Sequence, residues 1–220
     1  HVDFMYDIGH WPLWSYKDHP IVGISHDQAE KFCEWRSDRV FEYYLISQKV
    51  LFWQPDVDEE NYFSIKNYFE GKYNNELPNP NYMFYPSFRL PTIEEWNLAA
   101  EYNVVHCEKI AKKKKNCQEK FHSNYNPYSG YLLVKMPTVS IDSFCAKGEI
   151  AHLKGNVSEW LYTKNQTIGG SWNDWDLDNC HSPVQVDSAS LTIGFRAVCY
   201  GKMYDGSKFV FNLSKYFGRY

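Results

Sequence analysis

The sequence predicts a single α+β domain with little regular secondary structure. Two helix-start signals, at Ser25 and at Thr92, each precede a helical pattern, whereas the β-like runs are short and the segments between them are long. The 220 residues suit one large domain or two small ones, and an aromatic content of 18% is ample for a core. No internal repeat or domain linker is visible, which favours one domain. We therefore expect residues 1–220 to form one domain in which loops outweigh helices and strands.

The first regular elements are predicted between residues 21 and 48. Residues 21–24, Ile-Val-Gly-Ile, are typical of a short buried strand. Ser25 and Gln28 then form a capping box, so a helix is expected from His26 to about Gln48. The residues predicted to lie near one stripe of this helix are Ala29, Phe32, Cys33, Arg36, Val40 and Tyr43.

Residues 53–88 are rich in Asn, Pro and Tyr and show no sustained period, apart from one short helix expected near 62–69. A loop of this length in a compact domain is usually functional or disordered. Its many aromatic side chains argue against disorder. We interpret the segment as a tyrosine-rich insertion that supplies a contact surface.

The second helix is predicted to begin just after Pro91, with Thr92 and Glu95 as its capping box. The residues expected on its buried side are Trp96, Ala99 and Ala100.

The C-terminal half is predicted to be mostly β and turn. Short β-like pieces with turns are expected over 121–150, and a core strand over 191–199. A hairpin is expected to turn at Asp205-Gly206, between 202–204 and 209–211.

The charge and hydropathy of the sequence argue against a nucleic-acid-binding surface and against a membrane-spanning segment. The net charge is -4, so nothing predicts a nucleic-acid surface, and the one basic run, Lys112 to Lys115, is interpreted as a solvated loop tip. The mean hydropathy is -0.57, and no segment approaches the roughly 18 apolar residues of a membrane span.

The sequence contains six cysteines, which bear on whether the protein is exported. Their spacing matches no zinc-binding pattern. An even count without metal spacing favours disulfides and an exported protein, although the fifteen possible pairings stay open. Cys107 and Cys117 could close a local loop around the lysine run. The six are Cys33, Cys107, Cys117, Cys145, Cys180 and Cys199.

A turn at residues 155–160, Gly-Asn-Val-Ser-Glu-Trp, is the candidate metal site. Asn156 and Glu159 are hard oxygen ligands three residues apart, and Trp160 would anchor the turn in the core. Oxygen ligands on an irregular loop suit calcium. The alternative is that Asn156 caps the loop and Glu159 faces solvent or an arginine.

Six motifs stand in a fixed order that is far more specific than any one of them. They are residues 19–25 (His-Pro-Ile-Val-Gly-Ile-Ser), 29–35 (Ala-x-x-Phe-Cys-x-Trp), 89–100 (Arg-Leu-Pro-Thr-x-x-Glu-Trp-x-x-Ala-Ala), 155–160, 169–172 (Gly-Gly-Ser-Trp) and 194–196 (Gly-Phe-Arg). Over residues 19–200 the chain resembles the formylglycine-generating-enzyme, or sulfatase-modifying factor, domain family. The resemblance implies a C-type-lectin-like fold and structural calcium near Asn156 and Glu159.

The resemblance also implies a disulfide. Cys33 resembles a family cysteine that is bridged just after the Gly-Phe-Arg motif. Ala197 takes that position here and Cys199 follows, which implies a Cys33–Cys199 pair. If Cys107 pairs with Cys117, Cys145 and Cys180 are left as a third pair.

Catalytic members of the family bind copper through two cysteines that follow the Gly-Gly-Ser motif. Here the corresponding positions hold Asp174 and Asn179, and Cys180 stands one residue late without a partner cysteine in that segment. Asp and Asn cannot replace thiolates for copper(I). We therefore expect a noncatalytic member without copper.

A narrower resemblance, in residues 32–40 and the insertion, is to noncatalytic GldK- and GldJ-type lipoproteins of Bacteroidota, which serve gliding motility and type IX secretion. It implies an exported scaffold of an outer-membrane-associated machine that contacts other subunits in the periplasm or at the cell surface. The family's usual beginning and a lipobox cysteine are missing here, so any lipid anchor is expected in a segment not seen in this sequence.

The insertion and the loop 173–190 are predicted to carry the partner contacts. Two alternatives stay open: a lectin-like ligand binder that uses the loop after the Gly-Gly-Ser-Trp motif, and an oxidase that uses Cys180. The candidate contact residues are Tyr62, Tyr68, Tyr73, Tyr82, Tyr85, Trp172, Asp174 and Trp175.

Overall fold

The computed structural model describes residues 18–53, 62–74, 77–113, 138, 150–174 and 178–205, and for 104–113 the backbone alone. The content of these ranges is mixed helix and short strand, as predicted. In chain order the elements are α1 (His26–Ser47), α2 (Ile65–Phe69), β1 (Phe84–Arg89), α3 (Ile93–Lys113), β2 (Ser158–Trp160), β3 (Gln166–Ile168), β4 (Val184–Gln185), β5 (Ile193–Phe195) and β6 (Val198–Met203). No helix in the described ranges is both long and apolar enough to cross a bilayer.

The chain divides into two compact units. The first unit consists of His1–Glu30 and Leu90–Val198, and the second of Lys31–Arg89 and Cys199–Tyr220. Each unit is therefore built from segments that are distant in sequence.

The first unit contains a four-stranded sheet in the order β4-β3-β2-β5. Strand β2 pairs antiparallel with β3 and parallel with β5, so Glu159 on β2 lies between Ile168 and Gly194. A buried cluster in the same unit contains Trp96 and Ala100 of α3 together with Leu153, Leu161 and Ile168. Glu159 is thus a buried carboxylate on an interior strand of this sheet.

Both long helices begin as the sequence predicts. The backbone N–H of Ser25 donates to the Gln28 side chain at 2.8 Å, and the N–H of Gln28 donates to the Ser25 hydroxyl at 3.2 Å. At α3 the N–H of Thr92 donates to Glu95 at 2.9 Å and the N–H of Glu95 to the Thr92 hydroxyl at 3.3 Å. These reciprocal bonds satisfy backbone donors that the first turn of a helix leaves without partners.

The predicted stripe of α1 is correct only in its first half. Ala29 and Cys33 are buried, but Phe32, Val40 and Tyr43 are exposed. The buried positions continue instead at a spacing of four residues, which keeps side chains on one side of a helix over a few turns. In the second unit these positions are Cys33, Ser37, Phe41 and Leu45.

The 53–88 insertion contributes most of the second unit's core. Its predicted short helix is α2, whose N-terminus is capped by the Ser64 hydroxyl, which accepts from the N–H of Asn67 at 3.1 Å. Strand β1 follows and pairs with β6. The buried residues of this core are Phe41, Leu45, Leu51, Phe63, Tyr68, Phe69 and Tyr73.

Three of the strand and loop predictions need correction. Residues 21–24 do not form a strand, because Gly23 has φ +72° and its N–H donates to the carbonyls of Ser190 and Ile193 rather than to a ladder. The strand predicted over 191–199 is divided into β5 and β6, which lie in different sheets. The lysine run is not only a loop tip, because α3 extends to Lys113.

Two further predictions fall on parts of the chain for which no structure is described. They are the β-like pieces over 121–150, where only residues 138 and 150 are described, and the hairpin partner at 209–211.

Candidate functional site

The turn at Gly155-Asn156 joins the two central sequence motifs. Gly155 and Asn156 have φ of +71° and +61°, a left-handed conformation that Gly adopts freely and Asn tolerates better than most residues. The N–H of Gly155 donates to the carbonyl of Gly169 at 2.8 Å, and the N–H of Trp172 donates to the carbonyl of Asn156 at 2.9 Å. The left-handed backbone of the turn therefore accounts for the Gly-Asn pair, whether or not the turn has a further role.

Glu159 is the centre of a buried polar network. Its carboxylate accepts hydrogen bonds from Arg196 at 2.7 Å (Nη2 to Oε1) and 3.0 Å (Nε to Oε2), and from the Trp96 indole N–H at 3.1 Å. Arg196 also donates to the carbonyl of Ala151 at 2.7 Å. The exposed fractions of the Glu159 and Arg196 side chains are 5% and 28%. One residue from each of three motifs, namely Trp96, Glu159 and Arg196, thus joins a single charge-assisted cluster.

Gly169, in the second central motif, is required by both conformation and space. Its φ is +104°, and a Cβ atom at this position would lie 2.8 Å from the carbonyl oxygen of Leu153. Its N–H donates to the carbonyl of Cys180 at 2.9 Å. This bond holds the start of the 169–180 loop against its end.

Asp174 closes a local turn on Ser171. Its carboxylate accepts the backbone N–H of Ser171 at 2.6 Å and the Ser171 hydroxyl at 3.2 Å. The Asp174 side chain is therefore engaged within its own loop, in the way short acidic side chains commonly stabilise turns.

The motifs that form this turn and network also match a known protein family. A family model, the sulfatase-modifying factor enzyme 1-like domain (FGE-sulfatase), matches residues 10–217. The chain belongs to this family. The identification made from six motifs is thereby confirmed, and the match extends beyond the 19–200 range that the motifs covered. Comparisons with curated proteins and with solved structures gave no match.

In this family member the two positions expected to bind copper carry no sulfur. Asp174 is held in its turn, Asn179 is exposed, and the adjacent Cys180 is 6% exposed. Burial raises the pKa of the Cys180 thiol, although the Lys154 ammonium opposes this shift. Next to it, burial and Lys154 both lower the pKa of His181. A thiol with a raised pKa is a poor thiolate ligand at neutral pH.

The structure gives Glu159 a role other than the predicted calcium ligand. Its two oxygens already receive three N–H donors, from Arg196 and Trp96, as in the alternative in which Glu159 faces an arginine. Asn156 is buried, at 2% exposed. Calcium at Asn156 and Glu159 stays a prediction, and it would require the carboxylate to give up donors that it now holds.

The side chains of three of the six cysteines are described. Cys33 and Cys180 are buried, whereas Cys199 is exposed. The implied Cys33–Cys199 and Cys145–Cys180 pairs stay predictions. The side chains of Cys107, Cys117 and Cys145 lie outside the described residues.

The predicted contact residues fall into three groups. Tyr68 and Tyr73 are 3% and 5% exposed in the second unit's core, so their rings cannot contact a partner in this structure. Tyr62 is 36% exposed, whereas Tyr82, Tyr85, Trp172 and Asp174 are only partly exposed. Trp175 lies outside the described residues.

Sequence analysis missed one group of polar side chains in the first unit. Ligand atoms of His26, Asp27 and Glu30, in the first turns of α1, lie within 4.8 Å of one another. The available signal was a histidine and a glutamate four residues apart, a spacing that places two side chains on the same side of a helix. Because the capping box at Ser25 already accounts for these residues as the start of a helix, the sequence alone does not indicate a ligand group here.

Thiol labelling will test how the structure places the sulfur atoms. We expect Cys199 to react with N-ethylmaleimide at least about tenfold faster than Cys180 at pH 7.5, because Cys199 is exposed and Cys180 is buried with a raised pKa. Peptide mapping by mass spectrometry would give each rate separately. In denaturant the two rates should converge. Equal rates in the folded protein would contradict the buried placement of Cys180.

Proposed function

We propose that the chain is a noncatalytic scaffold that acts through protein–protein contacts. The observation that carries this proposal is the absence of cysteine from the two positions, Asp174 and Asn179, where the oxidases of this family place thiolates. The family includes both enzymes and noncatalytic members, so membership alone does not decide between them.

The chemistry of the loop supports the proposal. The Asp174 carboxylate is occupied by two hydrogen bonds from Ser171, and the Cys180 thiol is buried with a raised pKa. Replacing a pair of thiolates by one carboxylate and one amide also removes the group that would undergo redox chemistry. These residues are suited to holding the loop in place.

The second unit offers a surface for contacts. Among its described residues, three large aromatic side chains are more than 70% exposed: Phe52 at 84%, Tyr43 at 75% and Trp53 at 72%. Tyr, Trp and Phe are enriched at protein interfaces, since they bury a large area at little cost in conformational entropy. They replace the buried Tyr68 and Tyr73 as candidate contact residues.

The finer parts of the proposal rest on the sequence resemblance. They are a C-type-lectin-like topology and a role as a subunit of an outer-membrane-associated secretion or gliding machine, on the periplasmic or surface side. Structural calcium near Asn156 belongs with them, and a Ca²⁺-dependent rise in the melting temperature is its test.

The contact surface can be tested by point substitutions. We expect the triple variant Tyr43→Ser, Phe52→Ser, Trp53→Ser to lose at least about tenfold of the proteins that co-purify from the native host, because exposed aromatic anchors commonly dominate binding energy. The matched control is Leu98→Ser, since Leu98 of the first unit is 66% exposed. Quantitative mass spectrometry would compare the three preparations.

Two results would contradict the proposal. One is recovery of the same partners in the same amounts with the triple variant, which would remove this surface from the account. The other is oxidation of a cysteine-containing peptide by the copper-treated protein, which would make the chain an enzyme. Deletion of residues 55–85 is not a useful test, because it removes Phe63, Tyr68 and Phe69 from the second unit's core.

A further inference from the structure

We propose that His26, Asp27 and Glu30 form a binding site for a zinc-class divalent transition-metal ion. The three residues lie at the start of α1, within the first unit, and their ligand atoms are within 4.8 Å of one another. None of the three ligand residues belongs to the 155–160 turn or to the loop that follows the Gly-Gly-Ser motif.

The hydrogen bond of one imidazole nitrogen determines what the other can do. His26 Nε2 lies 2.9 Å from the carbonyl oxygen of Leu161. A carbonyl only accepts, so Nε2 carries the proton, and Nδ1 of the neutral ring presents a lone pair. A metal-binding histidine typically has this arrangement, with its second ring N–H donated to a carbonyl that fixes the tautomer and the ring plane.

His26 Nδ1 is a buried polar atom without a hydrogen-bond partner. The residue is 4% exposed, and no hydrogen bond to Nδ1 is present in the described structure. A buried polar atom left without a partner costs free energy, so such an atom calls for an explanation. A cation bound at Nδ1 supplies one.

The distance from Nδ1 to Glu30 fits two ligands of one ion. Nδ1 lies 3.5 Å from Glu30 Oε2, and the pair is not aligned for a hydrogen bond. Two ligand atoms about 2.1 Å from a tetrahedral ion lie roughly 3.4 Å apart. The observed separation therefore needs little change to accommodate zinc.

The surroundings hold the imidazole and leave room for the rest of the coordination shell. The ring packs edge-on against Trp160, with 5.6 Å between ring centroids. A cavity of about 140 Å³, lined in part by His26, Asp27, Asp187 and Lys164, lies beside it and is large enough for waters. Water would complete the shell around a metal held by one nitrogen and two carboxylates.

The charges near the site favour a divalent cation. The carboxylates of Asp27 and Asp187 line the cavity together with Lys164, whose ammonium lies 3.2 Å from an Asp27 oxygen. The Glu30 carboxylate adds a third negative charge 3.5 Å from Nδ1. The second Asp27 oxygen stays available to a metal while Lys164 holds the first. An imidazole ligand favours zinc-class ions over calcium and magnesium, which prefer oxygen alone.

The test is a Zn²⁺ titration of the purified full chain by competition with a chromophoric chelator. We expect one site that is weakened at least about tenfold in Glu30→Gln, because even the loss of a group that only orients a metal ligand commonly lowers affinity by about this factor. The Glu30 side chain is 46% exposed, so the substitution should leave the fold intact, which circular dichroism would check. The matched control is Glu94→Gln, an exposed glutamate in the first turn of α3, for which no change is expected.

Asp27→Asn provides a second variant if Glu30→Gln does not fold, since the Asp27 side chain is 62% exposed. Zinc should also raise the melting temperature of the wild type more than that of either variant, because a ligand that binds only the folded state stabilises it. Equal zinc affinities for the wild type and both variants would place the metal elsewhere and overturn the proposal. Failure of the wild type to bind zinc would overturn it as well.

Discussion

Glu159→Gln is expected to lower the free energy of unfolding by about 3 kcal/mol. The substitution keeps the shape of the side chain but removes the charge that Arg196 neutralises, and it turns an amide N–H₂ towards N–H donors. Arg196 is 28% exposed, so water compensates part of the loss, and we place the effect at the lower end of the range for broken buried pairs.

Chemical denaturation followed by near-ultraviolet circular dichroism would measure this effect, because the Trp96 indole lies in the network. Lys72→Gln is the control: it breaks the Lys72–Glu70 pair, which has a similar length of 2.6 Å but a 67% exposed lysine. The control should cost less than about 1 kcal/mol. Similar losses for both variants would contradict the role assigned to Glu159.

A double substitution separates the cost of an unpaired charge from the value of the pair. Glu159→Gln with Arg196→Met removes both charges, and buried pairs replaced together often lose little stability. We expect the double variant to be more stable than Glu159→Gln alone. If it is less stable by the sum of the two single losses, the two side chains do not interact.

Whether the sequence predicts a feature of this fold depends on how far apart in the chain the interacting residues lie. The capping boxes were predicted correctly because Ser25 and Gln28, or Thr92 and Glu95, are three residues apart and act within one turn. The Glu159 network joins residues 37 and 63 positions apart, which no local pattern reveals. For the same reason the strand predicted over 191–199 was not recognised as two strands that pair in different sheets.

The composition of the insertion shows that it is rich in aromatic residues, but it does not show which of them are buried and which are exposed. Tyr68 and Tyr62 both belong to the insertion, yet Tyr68 is 3% exposed and Tyr62 is 36% exposed. The difference arises because Tyr68 packs against Phe41 and Phe63, with ring centroids 5.8 and 5.9 Å away, and these contacts depend on how α1 and α2 pack in the second unit. The composition of the insertion therefore could not show which of its predicted contact tyrosines lie on the surface.

For the candidate sites, the sequence could name residue types but not their partners. It identified Asp174 and Asn179 at the thiolate positions, since this needs only counting from a motif. It offered both calcium and arginine as partners of Glu159, and only the structure provides Arg196 in contact. The His26 group required the carbonyl of Leu161, 135 residues away, before its open nitrogen could be seen.

Gly194→Ala is expected to lower the free energy of unfolding by about 1–3 kcal/mol, through overpacking alone. A Cβ atom on Gly194 would lie 2.6 Å from the carbonyl oxygen of Ile21 and 3.1 Å from a methyl group of Val157. The nearer atom belongs to the main chain and cannot rotate away. We therefore expect the upper part of this range, with the 21–24 segment displaced from β5.

Gly201→Ala is the matched control for this prediction. Gly201 also lies in a strand, β6, but nothing lies within 4 Å of the position of its Cβ. Alanine there should be neutral or stabilise by up to about 1 kcal/mol, because it restricts the unfolded chain. Urea denaturation of both variants compares the same Gly-to-Ala change at a position where the added methyl group clashes and at one where it has space. If both alanines have the same effect, the close approach of Ile21 to β5 is not present in solution, and the Gly-Phe-Arg motif has its glycine for another reason.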